Sequence, residues 1–138
     1  MVIPILAVDD DRSVHTVLRV MFRQWNDLAL ELAVDGHDAL EKLAEREYQL
    51  VISDVQMPQL DGLGLLEEVR KRFPTLPVVM LTGAHDAAAP AKALQLGALG
   101  YLTKPVRAED LRSVIDSAIA AGGEMRALGG RGLRAPPS

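Results

Sequence analysis

Five times along this chain, a short and nearly unbroken apolar run gives way to a segment with helical hydrophobic spacing. The runs are Ile3–Val8, Leu28–Val34, Leu50–Ser53, Val78–Thr82 and Leu99–Thr103. They are too short for helices and rich in β-branched residues, so they read as strands. Strands that are apolar on both sides need cover on both sides, which implies a parallel sheet with helices on its two faces. Right-handed crossovers then leave few topologies. Leu28–Val34 differs, with Leu28, Leu30, Leu32 and Val34 alternating against Ala29, Glu31 and Ala33, and it is the best edge-strand candidate.

The first helical segment carries Val14, Val17, Leu18, Met21, Phe22 and Trp25 at i, i+3, i+4, i+7, i+8 and i+11. Leu111, Val114, Ile115, Ala118 and Ile119 repeat this pattern in the last. Between them, Ala39–Leu43 and Leu63–Phe73 read as helices, the second opened by Asp61 as N-cap. Ala87–Leu96 is an alanine-rich fourth helix stopped by Gly97. Pro90 suits a first turn but breaks a helix interior, so this helix is expected to start late. From about Ala121 the sequence turns to AGGEMRALGGRGLRAPPS, with five glycines, two prolines and three arginines. The expected organisation is one domain over residues 1–121 and a flexible tail over 122–138.

With 138 residues, about half of them apolar, the chain can bury one full core. Its net charge of −4 offers no basic stripe for nucleic acid. The absence of cysteine excludes a disulfide framework, thiolate catalysis and a Cys-based zinc site. The start, MVIPILAVDDD, has no basic leader, and its apolar run is too short for a signal peptide or a spanning helix. A soluble, cytoplasmic chain is the resulting expectation.

Open parallel α/β sheets bind ligands outside the carboxyl ends of their strands. There the first strand ends in Asp9, Asp10 and Asp11, the third in Asp54, the fourth in Thr82-Gly83 and the fifth in Thr103-Lys104-Pro105. An unpaired buried carboxylate is costly, so Asp54 at the end of LVISD calls for a partner or a use. Crowded carboxylates repel unless one keeps a proton or a cation sits among them. Oxygen donors without clustered histidine or cysteine suit a hard cation, and a few carboxylates completed by water suit Mg²⁺. Taken singly, these acids could be helix caps and Lys104 an ordinary ion-pair partner. Together they equip a site for phosphoryl transfer, with Asp54 as the in-line nucleophile, a metal and Lys104 neutralising charge, and Thr82 donating a hydrogen bond.

The motifs LAVDDD, VISDVQMPQLDG, MLTG and GYLTKP, in this order and spacing over about residues 3 to 121, resemble the receiver domains of two-component response regulators. The resemblance implies a flavodoxin-like (βα)5 fold, a doubly wound five-stranded parallel sheet in the order 2-1-3-4-5. It implies that Asp9, Asp10, Asp54 and the backbone carbonyl of Gln56 hold Mg²⁺, and that Asp54 accepts a phosphoryl group from a sensor kinase phosphohistidine. Lys104, Thr82 and Gly83 would bind the phosphate, Thr82 and Tyr101 would form the switch, and Lys104–Pro105 would be a cis peptide. It further implies a signalling switch that catalyses only its own phosphorylation and dephosphorylation. Its partners would be a sensor histidine kinase or phosphotransfer protein, and an output protein on the surface of the fourth helix, fifth strand and fifth helix. Direct contact with nucleic acid or membrane is not implied, and the chain would be a monomer or weak homodimer.

Departures from the family pattern are Leu99, Gly100, Arg107, Pro90 and the run Ala87–Ala89, all on that signalling surface. Gln56 and Ala84 fall where receivers control water access to the phosphoryl group, and small Ala84 implies a short-lived phosphate. Three rival readings stand beside this one. A phosphohydrolase of the haloacid dehalogenase type needs a second acid two positions after the nucleophile, where this chain has Gln56. A flavodoxin-like carrier needs a phosphate loop where this chain has three acids. The third is an adaptor that uses the fold without phosphate. His15, His37 and His85 do not cluster and are expected on helices or the surface, with no phosphorelay role.

Overall fold

The computed structural model describes residues 2–57, 60–83 and 88–127. Among them the chain forms β1 (Ile3–Val8), α1 (Arg12–Phe22), β2 (Leu28–Ala33), α2 (Gly36–Glu45), β3 (Leu50–Asp54), α3 (Gly62–Arg72), β4 (Val78–Thr82), α4 (Ala89–Gln95), β5 (Gly100–Thr103) and α5 (Ala108–Ala127). All strand pairs are parallel and the order is β2-β1-β3-β4-β5. The flavodoxin-like order expected from the motifs is the one observed.

Successive residues of a strand point to opposite faces, and the central strands use both. Ile5, Ala7, Leu50, Ile52, Val79 and Leu81 pack with Leu18 and Phe22 of α1 and Leu111, Ile115 and Ala118 of α5. Leu6, Val8, Val51, Val78 and Met80 face the other way, onto Ala39 and Leu43 of α2, Leu65, Leu66 and Val69 of α3, and Ala93 of α4. This two-sided burial is why β1, β3 and β4 read as continuous apolar runs. β2 is an edge, as its alternation suggests, and β5 is the other, with Tyr101 42 % exposed.

The limits of α2 and α5 differ from the sequence expectation, whereas α4 starts late as Pro90 implied. α2 begins at Gly36 rather than Ala39 because Asp35 caps it, accepting from the Asp38 N–H at 2.7 Å. Asp38 in turn accepts from the Val34 N–H at 3.0 Å, which ties the end of the β2 segment to the first turn of α2. α4 starts at Ala89, placing Pro90 in the first turn, where its missing N–H costs nothing. α5 corrects the expected start of the tail, since residues 122–127 are helical. Gly122 lets α5 pass close to Pro77, where a Cβ would stand 3.0 Å from the ring, and Met125 is buried beyond it. The rest of the expected tail, 128–138, and Ala84 with its expected effect on phosphate lifetime lie outside the described residues. No helix among the described residues is long and apolar enough to cross a membrane.

Candidate functional site

The carboxyl ends of β1, β3, β4 and β5 meet at one rim of the sheet. Asp9 follows β1, and its N–H donates to Ala33 O of β2 at 3.1 Å. Asp54 is the last residue of β3, paired in register with Leu81 of β4. Thr82 closes β4, and its carbonyl accepts from the Lys104 N–H at 2.8 Å, which fixes Lys104 at the mouth of the site. The Lys104–Pro105 peptide is cis.

Carboxylate oxygens of Asp9, Asp10 and Asp54 lie within 4.8 Å of one another. Lys104 Nζ sits between two of these acids, 3.1 Å from Asp9 Oδ2 and 3.2 Å from Asp54 Oδ1. Asp9 and Asp54 are buried, whereas Asp10 is exposed. Burial, then the Asp9 charge, raises the Asp54 pKa above the ordinary carboxylate value, and Lys104 and the Gln56 backbone N–H offset part of this. Burial also works against the Lys104 ammonium, but Asp9 and Asp54 outweigh it and hold that pKa above its usual value. Asp11 has a different task. Its carboxylate caps α1, accepting from the Ser13 N–H at 2.9 Å and the Ser13 hydroxyl at 2.6 Å, and these bonds lower its pKa.

These residues open onto a cleft of about 440 Å³ lined by Asp10, Asp11, Asp54, Gln56, Gly83 and Lys104. Three carboxylates against one ammonium leave excess negative charge, and the donors are all oxygen. That set fits a hard divalent cation with water completing its shell, and Mg²⁺ in particular. Thr82 is 1 % exposed and immediately precedes Gly83, which lines the cleft. Tyr101 does not line it. It is exposed on β5, in register with Met80, two residues before Thr82. A cleft of about 480 Å³ among Tyr48, Phe73 and Arg126 contains none of the strand-end residues.

Two features of the site were not read from the sequence. Gly62 donates its N–H to Val55 O at 2.8 Å, and a Cβ there would collide with the backbone carbonyl oxygen of Asp54. The close approach of α3 to the end of β3 at Asp54 therefore depends on glycine. His15, expected at the surface or simply on a helix, is buried beneath the acidic turn, with Nε2 2.7 Å from Asp9 O. The available signal was its spacing, since His15, Leu18 and Phe22 form the buried stripe of α1.

The sequence model described as the response regulator receiver domain matches residues 5–116. The transcriptional regulatory protein ZraR of Salmonella typhimurium is 37 % identical over 118 residues, covering 86 % of this chain and 26 % of that protein. The DNA-binding transcriptional regulator NtrC of Escherichia coli is 35 % identical over 114 residues, covering 83 % of this chain and 24 % of that protein. The chain thus spans about a quarter of the length of these curated relatives. The crystal structure of a response regulator receiver domain protein from Clostridium thermocellum superposes with a TM-score of 0.84 at 29 % identity, covering 90 % of this chain and 99 % of that one.

Proposed function

The chain belongs to the response regulator receiver domain family, and on that premise we propose that it is a phosphoacceptor switch in which Asp54 takes a phosphoryl group from a phosphohistidine of a sensor kinase or phosphotransfer protein. One observation carries the assignment of roles. Lys104 Nζ bridges Asp9 and Asp54 at the strand ends, with Asp10 completing a trio of carboxylates around an open cleft.

An Asp54 carboxylate oxygen attacks phosphorus in line. The new P–O bond forms as the P–N bond to the imidazole breaks, and the departing nitrogen keeps the electron pair and takes a proton from water. Asp9, Asp10, Asp54 and the Gln56 carbonyl would hold Mg²⁺, which supplies charge neutralisation on the phosphoryl oxygens when bound. Lys104, freed from its full share of the Asp54 charge, pairs with a phosphate oxygen. The Thr82 hydroxyl and the Gly83 N–H donate to the others.

The added charge of about −1.5 to −2 draws Thr82 toward the phosphate. Tyr101, exposed in this structure, then fills the space that Thr82 vacates. The outcome is a population shift at the α4-β5-α5 surface, where an output partner would bind. That partner is a separate protein or a further part of a longer chain. In ZraR and NtrC, whose names describe transcriptional regulation, the matched region is a quarter of the protein, so the absence of a basic stripe speaks only for these 138 residues.

The test is intact mass spectrometry after incubation with Mg²⁺ and acetyl phosphate, beside Asp54→Asn. A single labile phosphoryl gain that disappears in Asp54→Asn and with EDTA is expected. No gain, with acetyl phosphate or with a kinase, would leave an adaptor that uses the fold without the phosphate.

A further inference from the structure

We propose that His15 is a positioning residue for the acidic site, holding the peptide that joins Asp9 to Asp10; this rests on the metal-dependent reading of the site given above. His15 lies one turn into α1 and is 7 % exposed. Its Nε2 is 2.7 Å from the carbonyl oxygen of Asp9. A carbonyl only accepts, so the ring donates Nε2–H, as both the neutral Nε2–H tautomer and the imidazolium can.

The value of this bond lies in which peptide it grips. The last β1–β2 register pair is Val8 with Ala33, and the Asp9 N–H makes one more bond to Ala33 O. Beyond this point the chain leaves the sheet and turns toward the Asp11 cap of α1. The Asp9 carbonyl falls in that gap, beyond the paired strand. It also belongs to the peptide flanked by two of the three clustered carboxylates. Rotating that peptide would re-aim Asp10 and move Asp9 relative to Lys104.

The side-chain bonds of Asp9 do not hold this peptide. Oδ1 accepts from the Asp11 N–H at 2.9 Å, and Oδ2 from Lys104 at 3.1 Å. His15 therefore ties the joint between the two acids to the body of α1. Leu18 and Phe22 anchor that helix in the core on the same stripe. Groups behind metal ligands that set their orientation commonly tune affinity more than tenfold.

Three substitutions separate the hydrogen bond from packing. His15→Gln places an amide donor near where Nε2 stands. His15→Met keeps the volume and removes the donor. His15→Asn stays polar but reaches only to the Nδ1 position, and it keeps the test usable should His15→Met fold poorly. Two readouts are taken, the Mg²⁺ affinity by calorimetry with the metal alone, and the exchange rate of the Asp11 amide without Mg²⁺.

In His15→Met and His15→Asn, Mg²⁺ binding is expected to weaken roughly tenfold and the Asp11 amide to exchange faster. His15→Gln should stay near wild type in both. Unchanged Mg²⁺ affinity in His15→Met and His15→Asn, beside a wild type that binds, would overturn the positioning role alone. So would a His15→Gln as impaired as His15→Met, because ring packing rather than the donor would then be responsible. A wild-type chain that takes up no Mg²⁺ would overturn the metal reading of the cluster, and this proposal with it.

Discussion

At Asp54, burial and the neighbouring Asp9 carboxylate favour the protonated acid, while Lys104 and the Gln56 N–H favour the anion, and the balance lies above the ordinary carboxylate value. A carboxyl whose pKa is higher in the folded than in the unfolded chain binds more protons when folded. Stability therefore falls as pH rises from the unfolded value to the folded one, and the loss is complete at neutral pH. Removing the charge removes that loss. Asp54→Asn without Mg²⁺ is expected to be more stable than wild type at pH 7. The advantage should shrink as pH drops through the range where Asp54 protonates. Urea unfolding at several pH values measures it, and a variant that is less stable at pH 7 would mean that the Lys104 pairing outweighs burial and the Asp9 repulsion. The imbalance fits the proposed role, because a divalent cation among the three carboxylates would relieve what the bare acid suffers.

Two helices reach their places through residues that are easily overlooked. α3 can approach β3 only because Gly62 has no side chain to strike the Asp54 carbonyl. α5 continues past its two adjacent glycines because Gly122 sits against Pro77 and Met125 is buried after it. Composition favours a tail there, but tertiary contact overrides the low helix propensity of glycine. Met125→Ala is therefore expected to cost about 2 kcal/mol, the low end for a buried methionine because the helix end can relax. Chemical denaturation reads this directly. A cost indistinguishable from zero would show that the last turn of α5 is frayed in solution.

Over the whole molecule, two cores on opposite faces of one sheet leave the strand ends free to be polar, since β1, β3 and β4 are already held from both sides. A ligand bound only by that rim, and not by the unfolded chain, stabilises everything beneath it. Mg²⁺ at a hundred times its dissociation constant should raise the unfolding free energy by about 2.7 kcal/mol, seen as a higher thermal midpoint. Asp10→Asn should blunt this gain strongly, because Asp10 is the exposed member of the trio and has the least other work in the fold. An equal gain in Asp10→Asn would place the metal elsewhere.

The sequence by itself determined the architecture and most of the rim. Strand limits at Ile3–Val8 and Val78–Thr82 are those read from apolar runs, because burial on both faces leaves an unbroken signal. Asp9, Asp10, Asp54 and Lys104 were legible because parallel strands deliver their carboxyl ends to one edge whatever the loop lengths. Only tertiary structure decided how those groups meet. That Lys104 bridges Asp9 and Asp54, and that His15 reaches the Asp9 carbonyl, depend on contacts between separate elements. Hydrophobic periodicity reports which face of an element is buried, but a hydrogen bond needs two groups placed to within a few tenths of an ångström. That placement exists only once the helices have packed.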